Sequence, residues 1–431
     1  MQTLGGLELA RMILAIFLLL VVAHAAGYLA NRSRQPRVIG EILGGLLLGP
    51  TLLGAVAPDL HDRIFPPTGP VPIVLDALYQ LGLLLLMFSA GSEIRSSFRA
   101  DERRTVGAVT LTGMLVPFLA GLGFVAALPE GAHIGPAGDR SAFVLVFALA
   151  IAVTSIPVIS RIMFDLGILE TAFARIVLTV AVLEDVVIYV LLAIALGLVA
   201  GSSGDVVGVP SMLGLEPGSV VSIGFHVAAT IGFLALALWL GPRVYRAILH
   251  FRFNVVKRGS PIAFQIVFML AGTALAVGLD VAPLFGAFVA GIVVGSAEGT
   301  AGAEAARQTI RDFSFAFFIP LYFAIVGLRL DLIHGFEPLF FVLFLVVACV
   351  VKYTSVWAAA RWAGESPHGA RNLGVALNAR GGPGIVLASV AFDAGIVDSG
   401  FYAVLVMLAI VTSLIAGSWL GRVVRSGAPL R

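Results

Sequence analysis

The chain has 431 residues, 59% hydrophobic and 12% charged, with a net charge of +2 and a mean hydropathy of +1.03. A soluble domain carries about 25% charged residues, so a fully water-facing surface is excluded and lipid must solvate much of the molecule. The near-neutral balance gives no reason to expect a nucleic-acid partner, and the single cysteine, Cys349, excludes an intramolecular disulfide.

Crossing a bilayer takes about 20 apolar residues in helical form. Thirteen stretches are predicted as transmembrane helices, near 8–30, 38–57, 73–92, 105–128, 141–163, 171–200, 218–241, 261–279, 283–297, 313–328, 336–361, 371–394 and 399–421. The ninth and tenth are short for full spans. The first is read as a span and not as a signal peptide. No basic residue precedes Arg11, and the stretch ends in Arg32, Arg34 and Arg37, as a stop-transfer flank does. No soluble domain of any size remains between the stretches.

Loop charge gives the orientation. Connections 1–2 (Arg32, Arg34, Arg37), 3–4 (Arg95, Arg99, Arg103, Arg104) and 7–8 (Arg243, Arg246, Arg252, Lys257, Arg258) are basic. So are 9–10 (Arg307, Arg311), 11–12 (Arg361, Arg371) and the final segment (Arg422, Arg425, Arg431), while the alternate connections hold only Arg63, Arg140 and Arg329. Cytoplasmic loops carry the excess of Lys and Arg. The N-terminus is therefore expected outside and the C-terminus in the cytoplasm of a multi-pass protein, with a prokaryotic inner membrane as the expected location.

Stretch 2 carries Gly40, Gly45 and Gly49, and stretch 9 carries Gly286, Gly291 and Gly295. Both read G-x4-G-x3-G after a proline, Pro36 and Pro283, and the segments FSAGSE (88–93) and FAIVGLR (323–329) follow them. An offset of seven helices is odd, so two such copies run in opposite directions through the bilayer, a plan common in secondary transporters. The expected organisation is a first inverted repeat over 1–200, a linker helix with a basic cytoplasmic loop over 201–260, and a second inverted repeat over 261–431.

Two stretches carry helix breakers at equivalent positions. The fifth contains Thr154-Ser155-Ile156-Pro157, and the twelfth Arg380-Gly381-Gly382-Pro383-Gly384. Proline removes a backbone donor and clashes with the preceding turn, and glycine lowers helix propensity further. Both helices are expected to unwind and cross, at 154–157 and 381–384. A broken helix in a membrane is tolerated where protein or water satisfies its backbone, and the freed carbonyls can coordinate a cation.

Four ionisable residues lie deep in the stretches: Glu184 and Asp185 in the sixth, Lys352 in the eleventh, and Arg380 at the second break. A centred charge costs roughly 2.5–3.5 kcal/mol on insertion scales, so such groups persist when they pair or line a pathway. Adjacent residues on a helix point about 100° apart. One acid can therefore meet Lys352 while its neighbour faces a cavity. Such a carboxylate holds a proton or a cation, and hardly both, which suffices for exchange if the empty charged site cannot cross. Asp185, Glu184, Thr154 and Ser155 are the candidate cation- and proton-binding residues, with one of the two acids as the ion-pair partner of Lys352. Pro157, Arg380, Gly381, Gly382 and Pro383 shape the broken-helix site.

Arg37 to Ile42 with Leu48-Gly49-Pro50, TSIPVISR (154–161), Glu184-Asp185, Lys352 and Asn378 to Gly381 together resemble the monovalent cation:proton antiporters of the KefC and bacterial Na+/H+ exchanger type, over nearly the whole chain. The resemblance implies thirteen helices, a homodimer held by a scaffold domain, and a core domain that moves like an elevator. It also implies that Asp185 is the ion-binding aspartate and that Lys352 pairs with the preceding acid. Glu184 stands where relatives commonly carry Asp, Asn or Gln, and regulation through a cytosolic nucleotide-binding domain is not expected. The expected function is Na+/H+ antiport without a cofactor, with K+/H+ antiport the alternative and a cation channel a more distant one. HExxH and Gly-x-Ser-x-Gly motifs are absent, so an intramembrane enzyme is not expected. Exchange is expected to be electrogenic, with more than one proton moved per cation: a cation at Asp185 that draws Glu184 away from Lys352 leaves an unpaired lysine that also sheds a proton. If the pair stayed closed, exchange would be neutral.

Overall fold

The computed structural model describes residues 5–33, 35–93, 102–203, 220–251, 254–279, 281–296 and 301–431. Arg34, Arg95, Arg99 and Arg252 of the basic loops lie outside them. Among the described residues the regular structure is helical, apart from one isolated antiparallel bridge between Ile134 and Val397. In chain order the helices are α1 (Gly6–Arg32), α2 (Arg37–Leu48), α3 (Pro58–Ile64), α4 (Pro70–Glu93), α5 (Arg103–Ala126), α6 (Arg140–Ala152), α7 (Ile156–Asp165), α8 (Ala172–Ser203) and α9 (Val220–His250). There follow α10 (Val255–Gly259), α11 (Pro261–Gly278), α12 (Pro283–Ser296), α13 (Ala301–Phe313), α14 (Ile319–Leu328), α15 (Pro338–Ala363), α16 (Pro367–Ala376), α17 (Gly381–Asp393) and α18 (Ser399–Arg425).

Among the described residues, eleven helical segments are long and apolar enough to cross a membrane, and Arg140–Ala152 and Pro283–Ser296 are shorter apolar helices. The chain is an integral, multi-pass membrane protein. The tenth stretch differs from expectation. Arg307 and Arg311, assigned to a loop, lie on α13, which runs through a π-helical turn at Ser314–Phe318 into α14, so the tenth span extends over Gly302–Leu328. Pro320 follows this turn in α14 and has no N–H to donate to it. A second π-helical turn, Pro50–Gly54, extends α2, with Gly54 N–H donating to Gly49 O at 3.0 Å.

The chain forms two compact units, one of Met1–Val21, Ala57–Arg95 and Leu196–Ile325, the other of Val22–Val56, Ser96–Ala195 and Val326–Arg431. In the first, α12 lies against α4 through glycines. A Cβ at Gly91 would fall on the Phe288 carbonyl and 3.0 Å from Ile292 N, and one at Gly295 would fall on the Ser92 carbonyl. In the second, α2 lies against the end of α14 in the same way. A Cβ at Gly327 would fall on the Ile42 carbonyl and 2.8 Å from Leu46 N, and one at Gly49 would lie 2.6 Å from Leu328 O. Residues 288 and 292 stand in the same places relative to Gly286 as 42 and 46 do to Gly40. The recurring glycines thus make equivalent backbone contacts.

The second unit contains every candidate site residue. Its helices α6 and α17 are buried along nearly their whole length, as an interior apolar helix requires. Away from the breaks, a short backbone ribbon ties the segment before α6 to the segment after α17. Gly135 N–H donates to Ile396 O at 3.0 Å and Ala137 N–H to Gly395 O at 2.9 Å.

Candidate functional site between two interrupted helices

Asp139 caps the start of α6 by accepting from Ala142 N at 2.9 Å, and Ser366 caps α16 by accepting from Gly369 N at 3.0 Å. Both helices then stop inside the unit. The breaks fall at 153–155 and 377–380, not at 154–157 and 381–384 as the breaker residues suggested. The correction has a simple cause. Proline lacks only an N–H that the first turn of a helix leaves unused, so it starts helices readily. Pro157 accordingly sits in the first turn of α7, and Gly381, Gly382 and Pro383 in the first turn of α17.

The two breaks are bonded to each other. Thr154 Oγ1 donates to Leu377 O at 2.7 Å, and Gly382 N–H donates to Ser155 Oγ at 3.0 Å. Gly381 permits this approach: a Cβ there would collide with the Val158 side chain and lie 2.8 Å from Ser155 Oγ. Overpacking a closed interior costs about 1–3 kcal/mol. Gly381→Ala is therefore expected to lower the unfolding midpoint; an alanine variant with wild-type stability would show that the breaks need not touch.

The carbonyls freed at the end of α6 already have donors. Arg380 Nε reaches Ala150 O at 3.3 Å and its Nη2 reaches Ile151 O at 3.0 Å, while Lys352 Nζ reaches Ala152 O at 2.7 Å. Two buried cations thus sit at the negative end of a half-helix, where the helix dipole favours positive charge. Carbonyls freed at a break were expected to be able to coordinate a cation; these three are engaged by protein side chains. Arg380 is fully buried and donates further to Ala348 O at 2.8 Å and to both oxygens of Asn378. Asn378 Nδ2 in turn holds Cys349 O at 2.9 Å.

The expected ion pair is formed. Lys352 Nζ lies 2.9 Å from each carboxylate oxygen of Glu184 and also donates to Gly113 O at 2.8 Å. Both side chains are wholly buried. The lysine's three N–H donors are shared among four oxygens, so it is saturated. Gly113 is a site residue that the sequence did not mark, one glycine among 49; a Cβ there would stand 3.4 Å from Glu184 Oε1 and 3.0 Å from Val356 Cγ2.

Asp185, one residue further along α8, is different. It is 2% exposed, and its buried Oδ1 has no hydrogen-bond partner among the described residues. An acceptor in that state costs free energy unless a proton or a cation joins it. Thr154 and Ser155 each retain hydroxyl lone pairs beyond the bonds given above. The site therefore consists of one committed acid, one uncommitted acid, and two fixed cations that close off the half-helix carbonyls.

Residues 16–426 match the family described as sodium/hydrogen exchanger, transmembrane. The chain belongs to this family, within the monovalent cation:proton antiporter superfamily. Family members are transporters, not enzymes. The chain is 28% identical over 412 residues to cation/H(+) antiporter 18 of Arabidopsis thaliana, covering 94% of this chain and 48% of that protein. The chain thus spans about half the length of such plant relatives. It is 28% identical over 407 residues to the Na(+)/H(+) antiporter NhaS4 of Synechocystis sp., covering 93% of this chain and 94% of that one. The sodium proton antiporter MjNhaP1 from Methanocaldococcus jannaschii shares the fold, with a TM-score of 0.62 over 97% of this chain and 98% of that one at 16% identity.

Proposed function

We propose that this protein is a secondary antiporter that moves a monovalent cation, Na+ foremost, against protons by alternating access, with proton and cation competing at Asp185. One observation carries this reading: a buried carboxylate whose Oδ1 has no partner among the described residues, beside an acid fully committed to a lysine. Deprotonated Asp185 offers charge and ligand oxygens to the cation, with the Thr154 hydroxyl as a further ligand. When the cation leaves, a proton restores neutrality, and only the loaded, neutral site crosses. Similar proteins include a Na(+)/H(+) antiporter and a Na(+)/H(+)-K(+) antiporter from Bacillus cereus, so K+ is the alternative cargo. The test is a cation-driven pH change in proteoliposomes, scanned over Na+, K+ and Li+. Saturable, proton-coupled flux with Na+ supports the reading; a response to K+ alone transfers it to K+/H+ exchange, and flux without proton coupling removes it.

The electrogenic expectation required Glu184 to leave Lys352. The saturation of Lys352 by four oxygens supports the closed pair instead, in which Asp185 alone cycles and one proton exchanges for one cation. Exchange measured under an imposed voltage is then expected to keep its rate. A rate that follows voltage would restore the reading in which Glu184 and Lys352 also release protons.

The wider arrangement follows the same reading. Two inverted repeats, 1–200 and 261–431 about a linker over 201–260, are supported by the equivalent glycine contacts of α2 and α12. A homodimer, an outside N-terminus and a cytoplasmic C-terminus in a prokaryotic inner membrane complete the proposal, the orientation resting on loop charge.

A further inference from the structure

The half-helix α16 is only 10 residues long, yet its end presents Leu377 O to Thr154 and leads into Asn378 and Arg380. Something must fix its height in the unit. The final residues of the chain lie beside it. Asn372, in the middle of α16 and 2% exposed, donates from Nδ2 to Pro429 O at 3.2 Å and to Leu430 O at 3.1 Å. Its Oδ1 accepts from Trp419 Nε1 of α18 at 3.1 Å. Arg431 Nε donates to Glu365 Oε2 at 2.8 Å, and the other carboxylate oxygen of Glu365 accepts from Thr105 Oγ1 of α5 at 2.8 Å. Glu365 is 4% exposed, so the arginine compensates a carboxylate that water scarcely reaches. Gly369 makes room, since a Cβ there would lie 2.9 Å from the Arg431 Cα, and Leu430 packs on the apolar core of the unit.

We infer that residues 429–431 form a clasp that sets the position of α16, making Arg431 and Asn372 positioning residues for the broken-helix site. None of the interactions at the breaks involves the tail directly. The tail acts through α16: Asn372 and Glu365 flank the helix start and middle, and Leu377 O and Asn378 lie at its end. Release of the clasp lets α16 shift along its axis and carries the Leu377 carbonyl away from Thr154. The inference rests on the antiport reading for its transport consequence and on geometry alone for its mechanical one.

Hydrogen exchange and transport in R431A and N372A, using the full chain, separate the two. Amides of α16 are expected to exchange at least about tenfold faster in both variants, with α15 unchanged, because a segment opens locally once the bonds that hold it are removed. The cation KM is expected to rise about threefold or more with little change in kcat. R431K, which keeps a point charge for Glu365, is expected to restore most of both. Unchanged α16 exchange in both variants overturns the clasp. Faster exchange with an unchanged KM overturns the positioning role. If the unmodified chain moved no cation against protons, the antiport reading would fail, while the exchange data would still decide the clasp.

Discussion

Asp185→Asn is expected to reduce cation-driven proton movement to the background of protein-free liposomes while leaving the protein folded. The substitution keeps the shape of the side chain and removes its charge and its titration. Folding survives because Oδ1 of Asp185 gives up no hydrogen bond to the described residues. Transport is lost because a neutral amide neither takes up a proton nor balances a monovalent cation. Retained monodispersity with lost exchange is the expected combination. Wild-type-like exchange in the variant would place the site elsewhere.

Lys352→Met is expected to destabilise the protein severely. The methionine fills much the same volume, but Glu184 would then be a buried carboxylate without its counter-charge, and Gly113 O and Ala152 O would lose their shared donor. Removing one partner of a buried pair costs about 3–5 kcal/mol. Adding Glu184→Gln removes the stranded charge and is expected to recover part of the loss. Thermal unfolding of the single and double variants in detergent checks both statements. A Lys352→Met protein as stable as the parent would mean that Glu184 is held by other groups or is neutral.

Much of this architecture is legible in the sequence. The membrane sets a long apolar period that side-chain detail cannot blur, so α1, α4, α5, α8, α15 and α18 fall where the apolar runs do. Buried charge is equally legible: Glu184, Lys352 and Arg380 stand out because an ionised group in an apolar run demands a partner. The choice between adjacent acids is less so, since Glu184 and Asp185 differ only in which face of α8 they occupy. The breaks are legible but displaced by a few residues, because proline and glycine begin the second half-helix as readily as they end the first. Arg380 and Lys352 take carbonyls of Ala150, Ile151 and Ala152 that local sequence cannot pair with them, 200 or more residues away. The bonds made by Pro429, Leu430 and Arg431 are hidden for the same reason. The two π-helical turns, Pro50–Gly54 and Ser314–Phe318, are likewise not reported by hydropathy.

If one carboxylate, Asp185, holds either a proton or the cation, arrival of the one must displace the other. Proton release on cation binding tests it most directly. The purified protein in weakly buffered solution is titrated with Na+, and with K+ and Li+ in parallel, while released protons are counted against bound cation. One proton is expected to be released for each cation bound, with neither binding nor release in Asp185→Asn. Cation binding without proton release, or release that persists in Asp185→Asn, would contradict it.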